Sequence, residues 1–219
     1  MEFYACTTSS TGINVEGITD AVSIVKIEGA HARRISDLAL HTTDLQFALN
    51  CLDSIPTHQE NMTILSALWN SAIASFCKCF GRGVRSQLSE NKILKNKPAD
   101  AMTAFRYFKS LRNKHLIHDE NSYSQSLPGA AINDGSKSYK IEKIICFKAT
   151  GMTCTPDDWS NLRLLISDSL EWVNMEYEDL CNRLTQELER ESYESLIARQ
   201  LVTYKFPTLE DVGRNRDQS

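Results

Sequence analysis

The chain has 219 residues, a net charge of −4, 42% hydrophobic and 24% charged residues, and only nine glycines and five prolines. That composition excludes a disordered, collagen-like or low-complexity chain, and the length lets one good-sized domain bury its core without disulfide or metal staples. No stretch approaches the ~18 uninterrupted apolar residues of a membrane span, and the first ten residues lack the basic start and apolar run of a secretory leader, so a soluble, cytoplasmic protein without membrane association is expected.

Residues 1–30 fit neither a clear helical nor a clear strand period. From Ile35 to Leu52, Ile35, Leu38, Ala39, Leu45, Ala48, Leu49 and Leu52 recur at helical spacing, and Pro56 closes that helix. A second helix is expected from about Met62 to Phe80, carrying Leu65, Leu68, Trp69, Ala72, Ile73, Phe76 and Phe80, with Gly81 and Gly83 stopping it. Seven cysteines, an odd number without a paired framework, fit a reducing compartment. Cys77 and Cys79 are the one close pair, and no second Cys or His pair stands by to complete four ligands, so they read as core cysteines. No metal and no cofactor is expected.

The segment from Arg82 to Lys97 reads as a basic, polar loop with at most a short helical turn. A third helix starts at Pro98 or Ala99, where proline suits a first turn, and its stripe is Ala101, Ala104, Phe105, Phe108 and Leu111. At about 100° per residue, Arg112 and His115 continue that stripe and His118 falls at its edge. A polar group on a packing face needs a partner, because burying it unpaired costs roughly 2–7 kcal/mol. After Asn121, Pro128-Gly129 and Asn133-Asp134-Gly135 signal turns, and Tyr139 to Phe147 is rich in β-formers. A β-hairpin inserted between helices is therefore expected over about 122–149. Thr155 as cap, Pro156 at the first position and two acids in the first turn start a long C-terminal helix. Its apolar residues run through Leu180 and its pattern reaches about Leu201, long enough to be broken once or used in oligomerisation. Residues 206–219 form a polar tail, leaving 1–205 as a single domain of mainly α class.

Charge is unevenly spread. Between Lys78 and His115 ten basic residues (Lys78, Arg82, Arg85, Lys92, Lys95, Lys97, Arg106, Lys109, Arg112, Lys114) meet only two acids, Glu90 and Asp100. A basic island on an acidic protein nominates a local polyanion site. Arg82, Arg85, Lys92, Lys95, Lys97, Arg106 and Lys109 are the candidate RNA-binding residues.

One run combines this island with two of the five histidines: Leu111-Arg112-Asn113-Lys114-His115-Leu116-Ile117-His118-Asp119-Glu120-Asn121. It resembles the signature of the HEPN superfamily, an Arg, usually followed by a polar residue, then a His after four to six positions. Here these are Arg112, Asn113 and, after five intervening residues, His118. The run looks especially like HEPN proteins of bacterial abortive-infection and toxin–antitoxin systems. The resemblance implies an up-and-down helical bundle and a metal-independent endoribonuclease, a toxin or antiviral defence effector. It further implies a homodimer that brings two motifs into one composite site, and an antitoxin or other regulatory protein as partner. Arg112, His118 and Asn113 are then the catalytic residues, with His115 and Lys114 accessory. The motif departs from one subgroup, which has a tyrosine two residues after the histidine; Glu120 stands there.

The chemistry such residues could perform follows from their types. RNA supplies its own nucleophile in the 2′-hydroxyl. Histidine titrates near neutrality and can take or give that proton, and arginine offers permanently charged, planar donors to the phosphorane. Products would be a 2′,3′-cyclic phosphate and a 5′-hydroxyl. In a straight helix, however, Arg112 and His118 stand about 120° and ~9 Å apart, so the helix must bend or end between them, or a partner must bridge the gap. Two other readings compete. His118-Asp119 is also the dipeptide of metal-dependent phosphohydrolases, and a HEPN-like chain can serve as a non-catalytic dimerisation or binding module.

Overall fold

A computed structural model describes residues 6–9, 12–15, 18, 23–118, 120–151, 153–203 and 206–215. The chain is mainly helical, with two small antiparallel sheets of two strands each. It divides into two compact units: Met1–Asp44, Gly81–Leu88 and Ser169–Ser219 make the first, Leu45–Phe80 and Ser89–Asp168 the second.

In the first unit, β1 (Cys6–Ser9) pairs with β2 (Gly12–Val15), strands that the irregular apolar pattern of residues 1–30 does not reveal. Helix α1 (Ala30–Ser54) begins five residues before its apolar period does, because its first turn is alanine, histidine and arginine. Gly29 precedes it at φ +104°, a left-handed conformation that glycine adopts without strain, and its carbonyl accepts from Arg33 N–H at 3.1 Å. The segment 83–86 is clasped to α1. Ser86 donates from its backbone N–H and its hydroxyl to Asp37 (2.9 and 2.8 Å), Arg34 donates to the Ser86 carbonyl (3.1 Å), and His41 Nε2 lies 3.0 Å from that carbonyl. Leu38, Leu88, Val173, Leu180 and Leu184 are buried here. An isolated antiparallel bridge joins Val25 to Leu201.

The second unit holds the aromatic core. Helix α2 (Met62–Lys78) is capped by Asn61, whose side-chain oxygen accepts from Ile64 N–H at 3.1 Å. The helix ends at Lys78, before Gly81 and Gly83, and neither glycine takes the left-handed conformation of a helix-stopping cap. After the short α3 (Glu90–Ile93) comes α4 (Ala99–Leu111). Phe76, Phe80 and Phe105 pack with ring centroids 4.8–6.0 Å apart, and Trp69 meets Phe108 edge-on at 6.0 Å. Burying a phenylalanine contributes roughly 1.5–3 kcal/mol, so this cluster positions the end of α4 firmly.

Strands β3 (Ser124–Ile132) and β4 (Ile141–Thr150) form the expected antiparallel hairpin. Its turn uses Gly135 at φ +84°, with Gly135 N–H bonded to the Asn133 side chain at 2.9 Å. Pro128-Gly129 is not a turn: both residues lie within β3, opposite Cys146 and Ile145. A two-stranded ribbon tolerates proline because each strand has an outer edge where its missing donor is harmless. Helix α5 (Pro156–Leu188) starts as expected, with Thr155 Oγ1 accepting from Asp158 N–H at 3.1 Å. The C-terminal helical pattern is broken once, over 189–192, before α6 (Tyr193–Ile197). The tail carries a short 3-10 turn at Leu209–Gly213. Among the described residues no helix is long and apolar enough to cross a membrane.

Candidate active site

Leu111 is the last buried residue of the α4 stripe, and the chain then widens into a π-helical turn, Arg112–Ile117. In such a turn each N–H reaches five residues back, and single π turns recur at functional sites. The widening changes which side chains stack. His118 is the C-terminal cap of this turn. Within the turn, Arg112 Nη1 donates to Asn113 Oδ1 at 2.8 Å.

Arg112 and Asn113 are half-buried, whereas Lys114 and His118 are exposed. Among the described residues His118 has no hydrogen-bond or ion-pair partner, leaving its imidazole open to a ligand. Arg112 carries its charge near the sealed thiol of Cys77. Burial pushes that thiol up to about 12, although Arg112 and Lys109 pull the other way. Cys77 and Cys79 are buried and unbridged. Among the described residues no group of three or more His, Cys, Asp or Glu stands together as a metal site. Asp119 lies outside the described residues, so the phosphohydrolase dipeptide is described only at His118.

His115 has a different environment. Its ring packs on Tyr123 at 5.6 Å, and among the described residues its buried Nδ1 has no hydrogen-bond partner. Tyr123 is held in turn by the foot of the hairpin, where Gly151 N–H donates to its carbonyl at 2.7 Å. Burial first, then the Asp158 carboxylate and Tyr123, pushes the Tyr107 hydroxyl well above its ordinary value. The sequence marks neither tyrosine as part of the site, because lone tyrosines at unrelated spacings carry no motif. The β-rich run after Asn121 was the available clue that another element reaches the end of α4.

The basic island is divided. Arg82 is exposed and belongs to the first unit, as does Arg85, which is tied to Asp44 at 2.6 Å. In the second unit Lys92, Lys95, Arg106 and Lys109 are exposed, while Lys97 pairs with Asp168 at 2.6 Å. Arg85 and Lys97 therefore hold the fold together, and the exposed cations of the island in the second unit include Lys92, Lys95, Arg106, Lys114 and Lys109, the last over the Phe105 ring.

Comparison with known proteins finds no matching family model, no matching curated protein and no matching solved structure.

Proposed function

We propose that this chain is a metal-independent endoribonuclease of the HEPN type, with Arg112, Asn113 and His118 as its reacting group. The observation that carries this reading is the π turn, in which Asn113 accepts from the Arg112 guanidinium (2.8 Å) and which ends at an exposed His118. A phosphate seated there meets a fixed cation and an imidazole that can take or give a proton. The imidazole takes the 2′-hydroxyl proton, the 2′-oxygen attacks phosphorus, and the guanidinium stabilises the charge that gathers on the non-bridging oxygens. The leaving 5′-oxygen needs a proton from a second acid, which His118 of a second copy supplies in a two-fold composite site. The half-buried, tyrosine-packed His115 supports the turn from behind, and Lys114 adds positive charge at its rim. By analogy with similar motifs, a toxin or antiviral role restrained by an antitoxin or other regulatory protein follows.

The test is to incubate the purified protein with total RNA and tRNA in EDTA, beside His118→Ala and Arg112→Ala. Cleavage by the wild type alone, leaving 2′,3′-cyclic phosphate and 5′-hydroxyl ends, is the expected result, with each variant down on the order of 100-fold or more. Loss of cleavage in EDTA would point instead to metal-dependent chemistry. One observation favours a second reading, a binding or dimerisation module: the hairpin leaves a row of large apolar side chains exposed. A folded wild type that cuts no RNA would establish that reading over the enzyme.

A further inference from the structure

Within the first unit, a groove of about 790 Å3 separates the start of α1 from the segment 83–86. That volume falls within the roughly 300–1,000 Å3 of small-ligand sites. Arg33, Arg34 and Arg85 line it, with Ile27 and Val84 as apolar lining. Its two acids are engaged: Lys26 lies 3.0 Å from Glu28, and Ser86 donates twice to Asp37. Arg85 is paired with Asp44, whereas Arg33 and Arg34 have no carboxylate partner among the described residues. Arg34 is half-buried, yet every group that holds it is neutral. Its Nη1 donates to the Ser86 carbonyl (3.1 Å) and hydroxyl (3.0 Å), and its guanidinium carbon stands 5.9 Å from the centre of the Trp172 ring. Neutral partners offset only part of the cost of drawing a cation out of water. A guanidinium also carries five donors, and here one nitrogen is used. Exposed Arg33 stands beside it in sequence, and the first turn of α1 has no acid to answer the positive end of the helix. The excess of positive charge reaches His41. Burial first, then Arg85 and Arg34, lower its pKa, against the Ser86 hydrogen bond and Asp37.

We propose that this groove binds the terminal phosphate of a nucleotide-sized ligand, with Arg33 and the unused edge of Arg34 on the phosphate oxygens. Ile27 and Val84 lie beside the ligand's apolar body. Two forked guanidinium groups suit a phosphomonoester, which carries nearly two charges and three acceptor oxygens. A carboxylate or a backbone phosphodiester brings one charge and answers them less well. Ser86, bonded to both Arg34 and Asp37, fixes the arginine before any ligand arrives, so little ordering is left to oppose binding. A terminal phosphate has two sources, a free mononucleotide or the end of a nucleic-acid strand, and the chemistry at the two arginines is the same for both. The inference stands apart from the ribonuclease reading, whose residues lie in the second unit.

The test is isothermal titration calorimetry of the full chain with inorganic phosphate, AMP, adenosine, and a DNA tetranucleotide with and without a 5′-phosphate. DNA is used because it has no 2′-hydroxyl to react. Phosphate and AMP are expected to bind and adenosine is not. Arg33→Gln and Arg34→Gln should each weaken AMP binding about ten-fold, as loss of a charge-assisted contact does. The Arg33 side chain makes no bond among the described residues, so its variant stays folded whatever Arg34→Gln does to Ser86. AMP binding as tightly as the phosphorylated tetranucleotide identifies a free nucleotide as the ligand; a tetranucleotide about ten-fold tighter or more identifies the end of a strand. Failure of phosphate and AMP to bind, adenosine binding as well as AMP, or an AMP affinity indifferent to Arg33→Gln would each overturn the proposal. So would tetranucleotides that bind alike with and without the phosphate.

Discussion

At the scale of single residues, the same side-chain types serve opposite ends according to burial. His118 is exposed and open, whereas His41 is 1% exposed and lies 3.0 Å from the Ser86 carbonyl. Burial lowers the His41 pKa, with Arg85 and Arg34 acting in the same direction and the hydrogen bond to Ser86 against them. The unfolded chain therefore binds this proton more readily than the folded one. Stability from His41 is fully present above the ordinary histidine value of ~6.5 and is lost as pH falls below it. Thermal melting should show the wild type losing several degrees between about pH 7 and about pH 5. His41→Gln, which keeps a donor for the carbonyl but cannot titrate, should lose clearly less; equal slopes would rule His41 out as the cause.

At the scale of elements, the foot of the hairpin decides how the end of α4 is held. A Cβ at Gly151 would stand 2.7 Å from Tyr123 Cδ1, and Tyr123 backs His115. Gly151→Ala should thus destabilise the protein by about 1–3 kcal/mol in urea unfolding, as overpacking does. Combining it with Tyr123→Ala should cost less than the two changes summed, since the collision is then removed. Strict additivity would mean that the ring and the glycine do not meet in solution. The π turn belongs to this scale too. Leu111, Arg112 and His115 look in sequence like a continuing α-helical stripe, and only the packing of α4 against its neighbours shows where the helix widens.

At the scale of the whole molecule, a net charge of −4 with a local basic surface predicts weak, salt-steep binding of RNA rather than a general coat for it. In fluorescence titrations of single-stranded RNA against salt, Lys92→Ala and Lys95→Ala should each flatten the log–log slope by about 0.7, one phosphate contact apiece. Arg85→Ala and Lys97→Ala should instead lower thermal stability, because each breaks an ion pair of the fold. An unchanged slope for the first pair would move the RNA path elsewhere.

The sequence alone determined the helical class, the hairpin after Asn121, the capped start of α5 at Thr155, and the run from Arg112 to His118 as the place to look. Those features are written in local signals: apolar period, turn residues, caps, and one short spacing. Only the tertiary structure decided that Pro128 lies inside a strand, that Arg85 and Lys97 are spent on Asp44 and Asp168, and that Tyr123 packs on His115. It also decided that the helix opens into a π turn in which Arg112 bonds to Asn113. The physical reason is the same in each case. These outcomes depend on partners dozens of residues away or on competition among packed neighbours, and no local pattern in the chain encodes which of them wins.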